Sequence, residues 1–225
     1  FQETDIVNVV KPLTKYAKTV TDIRDLRYEL EKAISIAKSD RPGPVLIDLP
    51  MDIQWSEVDF SNQREFKLPS NIWNHNKHED HKLDQLISLI ENSSKPVLIC
   101  GGGIRSANAI KQLGEFIGKI PMPVVTTYGG KDSIEYSNNS YCGMIGMMGG
   151  DGSNQIIDNA DLIIALGTRL SWRQVRSQPD KFAVNAKIVH IDIDPSETDS
   201  HVPSALSLNL DVKDLLHALN SKKIT

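Results

Sequence analysis

From about residue 80 to residue 222 the chain alternates short, continuous apolar runs with amphipathic helical segments, and this alternation restricts its fold more than any other feature. The runs fall at 97–100, 124–127, 162–166, 188–192 and, briefly, near 206–208. A strand that is apolar on both faces must be covered on both, which a parallel sheet between two helical layers achieves. Helices are predicted at 81–92, 105–118, 153–160 and 211–219, and in the first of them Leu83, Leu86, Ile87 and Ile90 share one side. The expected class is α/β, a doubly wound, Rossmann-like parallel sheet. Right-handed crossovers then bring the loop after each strand to one edge, where such sheets bind ligands.

Ahead of this region the text is less regular. A helix is predicted from Thr21 or Asp22 to Lys38, because Ile23, Leu26, Leu30, Ala33, Ile34 and Ala37 recur at three- and four-residue spacing. A strand at 45–49 follows. Between them lies Arg41-Pro42-Gly43-Pro44, a rigid elbow in which proline fixes φ and glycine allows the reversal. The elbow leaves Arg41 at the joint. Its guanidinium fork suits a diphosphate, or else caps carbonyls at the helix end. Residues 1–20 read as irregular, with Pro12 as a breaker, and 51–80 carry Asn, His, Pro and charge without periodicity, as a linker does.

The 225 residues suffice for one large or two small domains. A net charge of −4 gives no basic footprint for nucleic acid or an anionic membrane. No apolar run approaches the roughly 20 residues of a membrane span. Cys100 and Cys142 are far apart and match no metal or redox spacing, so free thiols in a cytoplasmic protein are expected. His75, His78 and His81 are spaced three apart but lie in the linker without a fourth soft ligand, and no metal site is expected in this chain. Phe1 stands where an initiator methionine would be, so a fragment of a longer protein is expected.

Four loops at the expected ligand edge carry candidate chemistry. Gly101-Gly102-Gly103-Ile104-Arg105-Ser106 follows a strand and opens a helix, where a phosphate-cradling turn belongs; the alternative is a tight strand-to-helix turn. The acid that would hold an NAD ribose is missing, and the next strand ends in Thr126-Thr127, which argues against an ordinary nicotinamide dehydrogenase. Gly143-Met144-Ile145-Gly146-Met147-Met148-Gly149-Gly150 offers a thin, polarizable wall for a ring, or else packs over the sheet as filler. Gly167-Thr168-Arg169, with Arg173 a turn further, ends one strand, and Asp192-Ile193-Asp194 ends the next. A carboxylate there can accept from a ribose diol or cap the turn Pro195-Ser196-Glu197.

With these residues in view, the chain resembles the acetolactate synthase (acetohydroxyacid synthase) family of thiamine diphosphate enzymes. Phe1-Gln2-Glu3, Thr14-Lys15, the segment 41–50, the triple glycine, the Gly-Met loop, Gly167-Thr168-Arg169 and His190-Ile191-Asp192-Ile193-Asp194 carry the likeness, in the family's order. The resemblance implies that 1–54 is the end of a pyrimidine-binding domain, 55–79 a linker, and 80–222 a central domain that often holds FAD. It further implies an FAD site lined by Arg41, Gly101, Gly102, Gly103, Thr126, Met144, Gly146, Gly149, Gly167, Arg169, Asp192, Ile193 and Asp211. Phe1, Gln2, Lys15 and Arg173 match family positions near the substrate, where a cation can hold a 2-oxo acid carboxylate.

Met51 replaces a family lysine, Ser171-Trp172 an acidic pair, and Leu210 the glycine before Asp211. Residues 167–174 look more like the acetolactate synthase-like proteins of cell-surface sugar pathways. The implied activity is decarboxylation of a 2-oxo acid such as pyruvate and transfer of the two-carbon unit to a carbonyl acceptor, possible acceptors including a ketosugar, by a homodimer or tetramer. Thiamine diphosphate and magnesium would serve the full-length enzyme, the metal-binding motif being absent here. Gly150-Asp151-Gly152 has the opening letters of that motif but not its paired asparagines, and reads as a helix start. The fragment alone is expected to be inactive. Two other readings stay open: a non-catalytic dinucleotide-binding module, and a 2-oxo acid decarboxylase with an empty central domain.

Overall fold

The structure, a computed structural model, describes residues 4–67, 80–175 and 179–224. The chain divides into two compact units, Phe1–Asn74 and His75–Thr225.

In the first unit, helix α1 (Ile6–Val10) is capped by Asp5, whose Oδ1 accepts from the Asn8 amide at 3.2 Å. Strand β1 (Tyr16–Thr19) pairs in parallel with β2 (Val45–Asp48), Tyr16 opposite Val45 and Thr19 opposite Asp48. Helix α2 (Leu26–Lys38) makes the crossover that a parallel pair requires. Among the described residues up to 20, the irregular reading is therefore corrected. Pro12 lies in the first turn of a 3₁₀ helix, Lys11–Leu13, where a missing N–H costs nothing, and Tyr-Ala-Lys-Thr is a strand only because β2 pairs with it.

Helix α3 (Met51–Trp55) buries Ile53. The next stretch was expected as linker, yet 63–66 fold back onto α2. Gln63 accepts from the Arg27 amide and donates to the Ile23 carbonyl at 2.8 Å, the Phe66 amide donates to Glu31 at 2.8 Å, and the Phe66 ring meets Tyr28 edge-on. Such contacts leave no periodic signal, because they are made by single polar side chains across 35 or more residues.

In the second unit, helix α4 (Asp80–Glu91) leads to β3 (Pro96–Cys100). The expected helix 105–118 is two pieces, α5 (Gly103–Ser106) and α6 (Ile110–Lys119), parted at Asn108, which takes φ +52°. Asparagine tolerates that left-handed turn. Then follow β4 (Val124–Thr126), β5 (Tyr141–Met144), α7 (Asp151–Asp158), β6 (Leu162–Leu166), α8 (Trp172–Val175), β7 (Lys187–Ile191), β8 (Leu206–Leu208) and α9 (Val212–Ser221). Strand β5 and helix α8 were not expected; both are four residues long, too short for a period to register.

The strands form one sheet in the order β5-β4-β3-β6-β7-β8, parallel throughout. This is the doubly wound arrangement, with the order reversing between β3 and β6. Alternate residues feed opposite cores. Leu98, Ile164 and Val189 pack with Leu86, Phe116 and Leu216 of the helices on one face, and Ile99, Ile163 and Ile188 with Ile157 and Leu170 on the other. None of the described helices is long and apolar enough to cross a membrane.

Asp161 staples the amino ends of the central strands. Its carboxylate accepts from the Ser93 hydroxyl, the Ser94 amide at 2.8 Å and the Lys95 amide at 3.0 Å, and its carbonyl accepts from the Lys187 amide at 2.9 Å. Burial works to raise its pKa, but the bonds from Ser93, Ser94 and Lys95 outweigh it and hold the carboxyl below the usual aspartate value. A depressed folded pKa adds stability above the unfolded value of about 3.9 and loses it as pH falls through the lower folded value. Asp161→Ala should therefore cost about 1–3 kcal/mol at pH 7, and the gap should close in strong acid. Urea unfolding across pH checks this; a gap independent of pH would contradict it.

Candidate cofactor-binding site

Because all strands of the second unit are parallel, the loops after Cys100, Thr126, Met144, Leu166, Ile191 and Leu208 share one edge. Backbone bonds stitch this rim beyond the strand ends. The Ile145 amide donates to Thr126 O at 3.0 Å, Thr127 to Cys100 at 3.0 Å, Gly101 to Leu166 at 2.9 Å, Gly167 to Ile191 at 2.8 Å, and Asp192 to Leu208 at 3.2 Å. Continuing ladders fix the rim before any ligand arrives, and the switch point between β3 and β6 lies at its middle.

The glycines at the switch point serve the chain itself. A Cβ on Gly101 would come 2.1 Å from Gly167 O, and one on Gly103 would come 2.5 Å from Gly167 Cα. Gly167 has φ +55°, and its carbonyl accepts from the Gly103 amide at 2.9 Å. Two members of the triple glycine are thus explained by close backbone approach between the β3 and β6 loops. Gly102, at the N-cap of α5, is half-buried. Arg105 pairs with Asp132 across the same rim. Beneath it, burial pushes the Cys100 thiol up to about 12, which makes it no nucleophile at neutral pH.

Thr126 is buried, with its hydroxyl 3.5 Å from the Tyr141 hydroxyl. It ends β4, the strand next to β3. The Gly-Met loop is held rather than loose. Gly146 has φ +95° and its amide donates to Asn154 Oδ1 at 2.9 Å, while Asn154 Nδ2 donates back to Gly146 O at 3.2 Å. A Cβ on Gly149 would fall 2.3 Å from Met144 O, and Met144 is half-buried at the end of β5. Met147 and Met148 stand exposed, and the Met147 amide donates to Arg173 O at 2.9 Å. The loop and the Arg173 segment are therefore one assembly. Sequence reading missed Asn154, a polar helix residue whose partner lies eight positions back.

On the other side of the switch point, Arg169 is 60% exposed but pairs with the buried Glu197, Nε at 2.7 Å and Nη2 at 2.6 Å from Oε1. The hydrogen bond and charge of Glu197 raise its pKa further. The sequence places Glu197 only in a turn. Asp192 is buried and its Oδ1 accepts from the Asp194 amide at 3.0 Å, while Asp194 accepts from the amide and hydroxyl of Ser196. Both aspartates thus make the turn-capping bonds weighed as the alternative to ribose binding. Ile193 between them is half-buried, and Asp211 caps α9 through the Lys213 amide at 2.7 Å.

In the first unit, Lys15 does not project as a free cation. Its ammonium donates to Ser39 O at 2.6 Å and Arg41 O at 3.1 Å, and its stem packs 3.0 Å from where a Gly43 Cβ would be. Lys15 braces the elbow, on which Arg41 is exposed. Phe1 and Gln2 lie outside the described residues, as do His75 and His78 of the histidine triplet; His81 belongs to α4. Among the described residues no group of three or more His, Cys, Asp or Glu could hold a metal ion.

Residues 83–219 match the family model described as thiamine pyrophosphate enzyme, central domain. The acetolactate synthase large subunit of Lactococcus lactis is 36% identical over 219 residues, 97% of this chain and 38% of that protein. The chloroplastic acetolactate synthase of Arabidopsis thaliana is 38% identical over 221 residues, 98% of this chain and 32% of that protein. The large subunit from Corynebacterium glutamicum is 38% identical over 197 residues, 88% of this chain and 31% of that protein. The chain thus spans about a third of the length of the curated relatives it matches. With its doubly wound sheet and matching central region, the chain belongs to the thiamine pyrophosphate enzyme family.

Proposed function

We propose that this chain is the central part of a thiamine diphosphate-dependent carboligase resembling acetolactate synthase, and that its rim holds FAD. The observation that carries the cofactor reading is the switch point between β3 and β6, flanked by a glycine-lined turn on one side and by Arg169 and Asp192 on the other. This suits an extended anionic dinucleotide. Gly101 to Gly103, with Gly167, would keep the cofactor-binding role the resemblance assigns them by packing the β3 and β6 loops tightly at the switch point; Arg169 would donate to the dinucleotide, Asp192 would face its ribose, and Met144, Gly146 and Gly149 would shape the flavin wall. Thr126, Ile193 and Asp211 support this rim from within. Arg41 keeps the diphosphate role that resemblance assigns it.

Thiamine diphosphate, with magnesium, would supply decarboxylation of a 2-oxo acid such as pyruvate and transfer of its two-carbon unit to a carbonyl acceptor. Arg173 in the second unit, and Phe1, Gln2 and Lys15 in the first, each keep the substrate-vicinity role that the resemblance assigns them. The segment 167–174 favours a ketosugar acceptor through its likeness to surface-sugar enzymes. The whole protein would work in the cytoplasm as a homodimer or tetramer, without nucleic acid or membrane partners.

The test is the complete polypeptide that carries this chain. Its sequence beyond Phe1 and Thr225 should contain Gly-Asp-Gly followed by paired asparagines, and stop codons at both ends would overturn the carboligase reading. The purified protein should release FAD on acid treatment and evolve CO₂ from pyruvate only with thiamine diphosphate and Mg²⁺. Flavin without turnover would favour a binding module; turnover without flavin would favour a decarboxylase with an empty central domain.

A further inference from the structure

Two residues with left-handed backbone bracket Thr168 and Arg169: Gly167 at φ +55° and Leu170 at φ +46°. Glycine takes that region freely, whereas a leucine there is strained and persists only where its surroundings over-determine it. Leu170 is fully buried in the core beneath the rim. The segment is also gripped from two sides. His190, 1% exposed, has Nε2 2.6 Å from Thr168 O; since a carbonyl only accepts, Nε2 carries the proton and donates. From the other side the Glu197 carboxylate, 8% exposed, takes both Nε and Nη2 of Arg169 on one oxygen.

This ion pair is one-sided. The carboxylate is buried while the guanidinium is 60% exposed, so Glu197 faces the protein and Arg169 faces out. A guanidinium has five N–H donors in a rigid plane. Two of them point at Glu197, which leaves three others on a side chain that is 60% exposed, and fixing the plane removes the rotamer freedom that a ligand would otherwise have to freeze.

We propose that Glu197 is a positioning residue, holding the Arg169 plane at the carboxyl end of β6 and thereby setting the affinity of the rim for an anionic cofactor. The cofactor is FAD under the reading above, on which this inference rests. His190 and the strained Leu170 fix the backbone, and Glu197 fixes the side chain. The arrangement has no local sequence signature, because the partners lie 28 residues apart on loops after neighbouring strands.

The experiment combines arginine ¹⁵N NMR with FAD titration of the full-length protein, comparing parent, Glu197→Gln, Arg169→Met and the double variant, each checked for folding by circular dichroism. The parent should show an Arg169 Nε–H protected from solvent exchange, and Glu197→Gln should lose that protection and bind FAD roughly tenfold more weakly. The double variant should be no worse than Arg169→Met. Protection that survives in Glu197→Gln overturns the proposal. So does a Glu197→Gln variant that binds FAD like the parent, or an equal loss in the Arg169→Met background. A parent with a protected Nε–H and no affinity for FAD overturns the cofactor reading, while loss of protection in Glu197→Gln would still establish the tether. Should Glu197→Gln not fold, Glu197→Asp, which keeps the charge but shortens its reach, should show the same weakened FAD binding; parent-like binding would count against the proposal.

Discussion

Gly101→Ala should destabilise the second unit by about 3 kcal/mol, the upper end of what overpacking costs. The added Cβ would sit 2.1 Å from Gly167 O, 2.6 Å from Thr168 Cβ and 2.7 Å from Gly167 C. Two of those three atoms are backbone, and that backbone is tied into the ladder by the Gly167 amide on Ile191 O. Neither loop can yield without breaking the rim, so under the proposed function FAD retention should fall with stability. Gly114→Ala is the matched control. It lies within α6 with nothing inside 4 Å of the added Cβ, and it should stabilise by about 0.5–1 kcal/mol through helix propensity. Urea unfolding of both variants decides the matter. A Gly101→Ala protein with the parent's midpoint would show that the β3 and β6 loops are not packed as described.

The second large effect should fall on function more than on stability. Gly146→Ala places a Cβ 2.2 Å from Arg173 O and 3.0 Å from Gln174 Cα, on a backbone at φ +95° that alanine resists. The Gly-Met loop and the Arg173 segment must then part, and the Met147 amide must leave Arg173 O. Under the proposed function, displacements of about 1 Å at a substrate group cost up to 100-fold. The Michaelis constant for pyruvate and the dissociation constant for FAD should therefore rise about 10- to 100-fold, with a smaller loss of stability than in Gly101→Ala. Parent-like values for both constants would remove this loop from the site.

Much of the second unit was legible before any coordinates. Leu162–Leu166 was bounded correctly, and the strands at 97–100, 124–127 and 188–192 within one residue, because each is a continuous apolar run that only a doubly covered sheet can bury. Helix 105–118 was not legible as two pieces, since the break at Asn108 is a single backbone rotation that leaves the apolar spacing nearly intact. Strand β1 was illegible for another reason. Its residues have no alternation of their own, and only pairing with β2 makes them a strand.

The candidate site was legible as a set of loops but not as a set of roles. Glycine, arginine and aspartate after consecutive strands marked the rim, because parallel connectivity sends all those loops to one edge. Glu197, Asn154 and Asp161 were missed, since each acts through one or two hydrogen bonds to a distant loop and polar side chains of this kind are common on any surface. Lys15 was placed near a substrate by resemblance; that it also braces the elbow, through carbonyls 24 and 26 residues away, left no trace in the sequence.

By itself the amino-acid order determined the layer architecture and the edge at which a ligand would lie, because hydrophobic burial acts on short-range patterns that the chain carries along its length. Tertiary structure alone decided which glycines answer to neighbouring backbone and which arginine is held by a buried carboxylate. Close packing and ion pairing depend on distances between loops, and those distances exist only once the strands have lined up.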